Sequence, residues 1–145
     1  MGRIRFEQLK ALEGKIITDS PSAAGNWLAP RLVSAQPGEI VMEVVIKDEM
    51  CNPYGNIHGG MMSLVIDEAI GWAILSAALE LQYTSVSLNI DFLYAAARGE
   101  RILATARIVR SGKKIVNTEV HVHNESGVLL SHATSNLVST SMIIK

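Results

Sequence analysis

The strongest constraint on this chain is the run Met61–Leu79, MMSLVIDEAIGWAILSAAL, nineteen residues whose two charges, Asp67 and Glu68, sit side by side near its middle. Its length approaches that of a bilayer-spanning helix. The paired acids argue against that reading, because each would cost about 2.5–3.5 kcal/mol at a bilayer centre. Strand-like sequence also follows closely. The run therefore reads as a buried core helix from about Met61 to Leu81, with no membrane involved. It is apolar on nearly every face and must be covered nearly all round. One curved sheet wraps part of such a helix, and a second copy of the chain covers the rest, so a homodimer is expected.

Beyond the helix the period changes to two. Val86, Leu88, Ile90, Phe92 and Tyr94 alternate with Ser85, Ser87, Asn89 and Asp91, the pattern of a half-buried strand. Three further strands follow, separated by Arg98-Gly99-Glu100, Ser111-Gly112-Lys113 and Asn124-Glu125-Ser126-Gly127. Short turns of this kind join antiparallel neighbours. Before the helix, Phe6–Glu13 has helical spacing, Pro21–Asn26 reads as a loop, and Leu32–Ala35 and Ile40–Lys47 read as strands about the turn Gln36-Pro37-Gly38-Glu39. Asp48–Gly60 is irregular. One long helix with an antiparallel sheet makes a single α+β domain over residues 1–145.

Composition narrows the function. The chain is 48% hydrophobic with mean hydropathy +0.24, enough for a real core. Thirteen basic and fourteen acidic residues leave a net charge of −1, and aromatics are 5%, so no nucleic-acid partner is expected. The one cysteine, Cys51, excludes an intrachain disulfide and a four-cysteine zinc site; it reads as a bystander thiol. The opening MGRIRFEQLK lacks an apolar signal run, and Phe6 stands where a myristoylation signal wants Ser or Thr, so a cytoplasmic location is expected.

Two features suggest chemistry. Asp67 lies in a stripe of small residues, with Ser63 and Gly71 four positions to either side and Gly60 before them. Read as a buried carboxylate, it needs a partner or a task. His58-Gly59-Gly60 opens the helix, where backbone N–H groups lack intrahelical acceptors and the dipole is positive, a suitable place to stabilise an oxyanion. Either feature alone also fits a purely structural role.

Taken together, Asn52-Pro53-Tyr54-Gly55-Asn56-Ile57-His58-Gly59-Gly60 and Asp67, eight residues beyond Gly59, resemble the hotdog-fold acyl-CoA thioesterases of the 4-hydroxybenzoyl-CoA and phenylacetic-acid-pathway type. The likeness spans roughly residues 35 to 140. It implies a long central helix wrapped by a curved antiparallel sheet, and dimers that join two sheets and often pair into tetramers. It also implies hydrolysis of acyl-CoA without metal or prosthetic group. Asp67 matches the catalytic carboxylate, as general base or nucleophile, and Gly59 the N–H that polarises the thioester carbonyl. Asn52 and His58 match orienting residues, and Ser85 a side chain that assists the acid or water. Gly60 and Ser63, in the small-residue stripe that permits close approach of a ligand, are expected to adjoin the substrate. The acid and the glycine turn of one site come from different subunits in that family. Ala95-Ala96-Ala97 stands where many relatives have Pro, which is expected to loosen the turn before Arg98.

Rival readings are a hotdog protein that senses acyl-CoA without cleaving it, and a hotdog hydratase or dehydratase. The hydratase signature fails here, with Met50 in its Asp place and His58 three positions late; a dehydratase would use Glu68 on the helix. No Gly-x-Ser-x-Gly elbow supports a serine hydrolase. His121 and His123 share a strand face with Glu119 and Glu125; a His-x-His pair of this kind can bind zinc, but the face reads as a solvated polar one, with His132 isolated in sequence. Trp72, Met61, Met62 and Tyr54 are candidates to line an acyl slot, against core packing. Finally, Arg98, Arg101, Arg107, Arg110, Lys113 and Lys114 hold six of the thirteen basic residues within seventeen positions, with Glu100 the one acid among them. Arg110, Lys113 and Lys114, about the turn Ser111–Lys114, are the expected contacts for CoA phosphates, against an ordinary charged hairpin.

Overall fold

A computed structural model of the chain describes residues 5–143. The reading of the first four residues, which bears on leader and lipid signals, lies outside them. Two short helices, α1 (Phe6–Lys10) and α2 (Ala23–Leu28), precede strands β1 (Arg31–Gln36) and β2 (Glu39–Val45). The long helix α3 (Gly59–Ser76) follows, then β3 (Leu81–Phe92), β4 (Arg101–Ser111), β5 (Ile115–Asn124) and β6 (Leu129–Ile143). The strands form one antiparallel sheet in the order β1-β2-β4-β5-β6-β3. The chain thus leaves β2, runs through α3 and enters the far edge of the same sheet.

The expected α+β layout is present, and the helix packs mainly on β4 and β2. Ala104 and Ala106 of β4 and Ala69 and Ala73 of α3 are fully buried, and these small side chains let helix and sheet approach closely. Around them Ile40, Met42, Val44, Ile102, Val120 and Val122 meet Met62, Val65, Ile66 and Ile70 in one core. Full burial of each large side chain contributes about 1.5–3 kcal/mol. Although α3 has the length and hydropathy of a membrane span, its apolar side packs on this sheet.

Three expectations are corrected. Pro21–Asn26 is not all loop: Ser22 Oγ accepts the Gly25 N–H at 3.0 Å and caps α2. Six residues are too few to show a helical period. The long helix ends at Ser76 rather than near Leu81, because Ala78 adopts φ +52° and turns the chain into β3. The alternation in β3 does not bury one clean face either. Val86 and Phe92 are exposed, Leu88 and Ile90 half-buried, and Tyr94 lies beyond the strand, also exposed.

The two sheet edges differ. On the β1 side, Ala35 N–H donates to Glu13 Oε1 and its carbonyl accepts from Lys10 Nζ, both at 2.8 Å. Those bonds to Lys10 and Ala35 hold the Glu13 carboxyl below the ordinary carboxylate range. Leu32 exchanges backbone bonds with Gly14 and Lys15. The N-terminal segment therefore covers the β1 edge. On the other side β3 pairs with β6, and among the described residues no strand pairs with its second edge.

The helix end is latched to the sheet by Ser76. Its buried hydroxyl donates to Ala73 O at 2.7 Å and accepts the Gly38 N–H at 2.9 Å, across the β1–β2 turn. Ser76→Ala removes both bonds and orphans the Gly38 donor. The expected loss is about 1–3 kcal/mol, read as a lower urea midpoint at unchanged m-value.

Candidate active site

The loop before α3 is self-bonded. Asn52 Oδ1 accepts the N–H groups of Tyr54 and Asn56 at 3.0 and 3.2 Å, and Asn52 N–H donates to Asn56 O at 2.7 Å. Ile57 N–H donates to Ala96 O and Arg98 N–H to Gly55 O, at 2.8 and 3.1 Å. The run Ala95-Ala96-Ala97 is therefore held by the loop it faces, with Ala96 buried, and the turn is not loosened.

The helix start leaves one donor over. His58 is the N-cap, and its Nδ1 accepts the Gly60 N–H at 2.9 Å, which puts the ring proton on Nε2. Met61 and Met62 N–H groups both turn to His58 O, at 2.9 and 3.0 Å. The Gly59 N–H has no acceptor among the described residues. It stands at the positive end of an eighteen-residue helix. A Cβ on Gly59 would meet Phe92 Cζ at 3.4 Å, so the aromatic ring lies beside this free donor. His58 lines neither cleft described below; it positions the turn.

The adjacent acids have different surroundings. Glu68 is half-buried, accepts from Ser22 Oγ at 3.0 Å and from Trp72 Nε1 at 3.2 Å, and lies so close to α2 that a Cβ on Gly25 would collide with it. That carboxylate is occupied in holding α2 on α3, which leaves the dehydratase reading without its acid. Asp67 was expected to be buried. It is exposed, and its carboxylate has no hydrogen bond or ion pair among the described residues. The small-residue stripe is why: with Gly60, Ser63 and Gly71 along it, this side of α3 has no bulk with which to reach β3.

Two clefts flank the helix. The larger, about 470 Å³, is lined by Gly60, Ser63, Leu64 and Asp67 of α3 and Ser85–Leu88 of β3. The smaller, about 260 Å³, is lined by Asn52, Asn56, Gly59 and Met62 with Phe92, Tyr94 and Leu130 among its apolar walls. The structure thus joins Asp67 with Gly60, Ser63 and Ser85, and joins Gly59 with Asn52. It does not join Asp67 to Gly59. Eight helical residues at 1.5 Å each separate them by about 12 Å along the axis.

Ser85 reaches the first cleft through a β-bulge. Strict alternation sets Ser85 opposite to Leu88 and Ile90. The register slips between Ser85 and Ser87, with Val86 as the extra residue. Ser85 then pairs with buried Leu137, and Leu88 with buried Ser135, so both face the helix.

The basic hairpin is less closely placed. Arg110, Lys113 and Lys114 are exposed and line neither cleft. Tyr83 O–H donates to Lys113 O at 3.5 Å, which leans the turn on the start of β3, two residues from Ser85. Arg110 pairs with Asn117 on the outer face, after a second bulge at Val109. Of the suggested acyl-slot residues, Met62 lines the small cleft, Trp72 is buried beside Glu68, Met61 is half-buried and Tyr54 is 88% exposed. The aromatic wall of the small cleft was missed, although Phe92-Leu93-Tyr94 was visible as an apolar run outlasting its strand. Leu130 carried no signal.

Residues 54–131 match the thioesterase superfamily. Over 95 residues the chain is 33% identical to acyl-coenzyme A thioesterase 13 of Homo sapiens, covering 66% of this chain and 68% of the human protein. Zebrafish thioesterase superfamily member 2 superposes with a TM-score of 0.79 at 26% identity, over 94% of this chain and 99% of that one. The Escherichia coli PaaI protein, from the phenylacetic acid degradation operon, superposes with a TM-score of 0.80 at 22% identity, over 86% and 89% of the two chains, a likeness of fold. The architecture is the hotdog fold.

Proposed function

Because this chain belongs to the thioesterase superfamily, we propose that it hydrolyses acyl-CoA thioesters to a carboxylate and free CoA, in sites assembled from two copies of the chain. The observation that carries this reading is the unpartnered Asp67 carboxylate, open to the larger cleft while its neighbour Glu68 is engaged. A carboxylate free of ion pairs, facing a cleft lined by Ser63, Ser85 and Ser87, is suited to take a proton from water or to attack carbonyl carbon itself. Gly59 N–H supplies the oxyanion donor. In the direct route Asp67 takes a proton from water as its oxygen attacks the thioester carbon. The oxyanion collapses, the C–S bond breaks and the CoA thiolate leaves with a proton. In the nucleophilic route an Asp67 oxygen attacks the thioester carbon, the C–S bond breaks and the CoA thiolate leaves, and water then opens the resulting anhydride to the free acid and the Asp67 carboxylate. Single-turnover hydrolysis in heavy-oxygen water bears on the choice, since label enters the protein only by the second route, when water attacks the Asp67 carbonyl of the anhydride.

Two copies are invoked because a reacting carbonyl must lie about 3 Å from both its donor and its nucleophile, and within one chain eight residues of helix, a rise of about 12 Å, separate Gly59 from Asp67. The bare β3 edge, with Val86 60% and Phe92 58% exposed, is where a second chain would add. Antiparallel pairing of two such edges centred near Asn89 sets Phe92 of one copy against Val86 of the other. The small cleft of one chain, holding Gly59, then adjoins the large cleft of the other, holding Asp67. Asn52 Nδ2, which donates to no group among the described residues, is available to the carbonyl or to water. Arg110, Lys113 and Lys114 are proposed to meet the CoA phosphates at the mouth of the large cleft.

Asp67→Asn is expected to lower kcat by about 10²-fold or more, with an unchanged unfolding midpoint. Near-full activity in the folded variant rejects the assignment, and tight binding of an acyl-CoA panel by the wild type without thiol release favours the sensor. Co-refolding inactive Asp67→Asn chains with chains blocked by Gly59→Pro should restore part of the activity, because mixed dimers keep one intact site; no recovery speaks against the shared site. Charge reversal at Lys113 and Lys114 should raise KM for acyl-CoA, more at low ionic strength, and leave kcat nearly unchanged. An equal effect on a pantetheine thioester, which lacks the nucleotide phosphates, rules out phosphate contact.

A further inference from the structure

The outer face of the sheet carries a cluster that thioester hydrolysis does not use. Val120, Val122 and Ala133 are buried in the core, so Glu119 and His121 of β5 and His132 of β6 point the opposite way. His132, isolated in sequence, stands directly across the ladder from His121, with ring centroids 4.6 Å apart. Glu119, two residues before His121 on the same face, places Oε2 4.0 Å from His132 Nε2. One donor atom from each of the three lies within 4.8 Å of the other two. Arg107, opposite Glu119 on β4, engages Oε1 and leaves Oε2 for another partner. The His123 ring is farther off, 6.4 Å from that of His121.

We propose that Glu119, His121 and His132 form a binding site for a divalent first-row transition ion of the zinc type on the outer face of the sheet. Two imidazole nitrogens and one carboxylate oxygen form a donor set zinc accepts, with a fourth position left to water. Bonds of about 2.0–2.2 Å place tetrahedral donors about 3.4 Å apart. Rotation about the side-chain torsions closes that gap, because the β5–β6 ladder already fixes the three Cα positions. All three residues are half-buried, so their approach to an ion loses little hydration. The Arg107 guanidinium plays the part of an outer hydrogen bond that orients a ligating carboxylate. None of the three lines either cleft, so the ion is separate from the hydrolytic chemistry.

The test uses the full chain stripped with chelator and titrated with Zn(II) against a chromophoric competitor. One ion per chain is expected. Binding should be lost in His121→Gln and in His132→Gln and retained in His123→Gln, with far-UV circular dichroism confirming the fold of each. In the wild type, Cu(II) should broaden amide resonances around positions 119–121 and 132, a readout that needs no variant. Absence of saturable binding, binding that survives both His121→Gln and His132→Gln, or broadening centred on His58 would overturn the proposal.

Discussion

The bare edge of β3 is the constraint on which the rest of the molecule depends. The opposite edge, β1, is closed by the chain's own N-terminal segment, through Lys10 and Glu13 on Ala35 and through Gly14 and Lys15 on Leu32. Nothing among the described residues does this for β3, a twelve-residue strand with apolar side chains exposed along it. Unpaired backbone groups beside apolar side chains form a surface that favours strand addition. The same edge borders both clefts, so whatever covers it also closes them. The proposed pairing of two β3 edges therefore links assembly to chemistry: the surface that most needs covering is the one that completes the site.

The helix shows how neighbouring residues of one type take different tasks. Asp67 and Glu68 differ by one methylene and by about 100° around the axis. That rotation points Glu68 toward α2, where Ser22 and Trp72 engage it, and points Asp67 along the small-residue stripe toward β3. Gly25 makes the first arrangement possible, since any side chain there would strike the Glu68 carboxylate. Gly60, Ser63 and Gly71 make the second possible by leaving room. An acid is thereby held on a rigid helix without an ion pair, and a free N–H on the same helix is held by the His58 cap, which takes up the Gly60 donor and leaves that of Gly59. The Asp67 carboxylate and the Gly59 N–H are thus carried on one helix, eight residues and about 12 Å apart along its axis.

Some of this was legible residue by residue. The period change after the helix and the turns at Arg98–Glu100, Ser111–Lys113 and Asn124–Gly127 located the strands, because alternation and turn chemistry are local. Other features were not legible. Helix α2 is too short to show a period. The bulge at Val86 is set by pairing with β6, so strict alternation placed Ser85 on the wrong face. His132 looked isolated because its neighbour His121 comes from another strand, and only the ladder register sets them opposite.

By itself, then, the sequence determined the α+β layout and the core helix and singled out the candidate residues for chemistry, since side-chain periodicity and the Asn52–Asp67 spacing are properties of the chain. The tertiary structure decided which of those residues meet. It exposed Asp67 rather than burying it, gave Glu68 to α2, and divided Asp67 and Gly59 between two clefts. It also gathered Glu119, His121 and His132 on the outer face. The physical reason is the same in each case: the outcome depends on what lies opposite in space, and that is fixed by helix packing, strand register and the uncovered edge of β3.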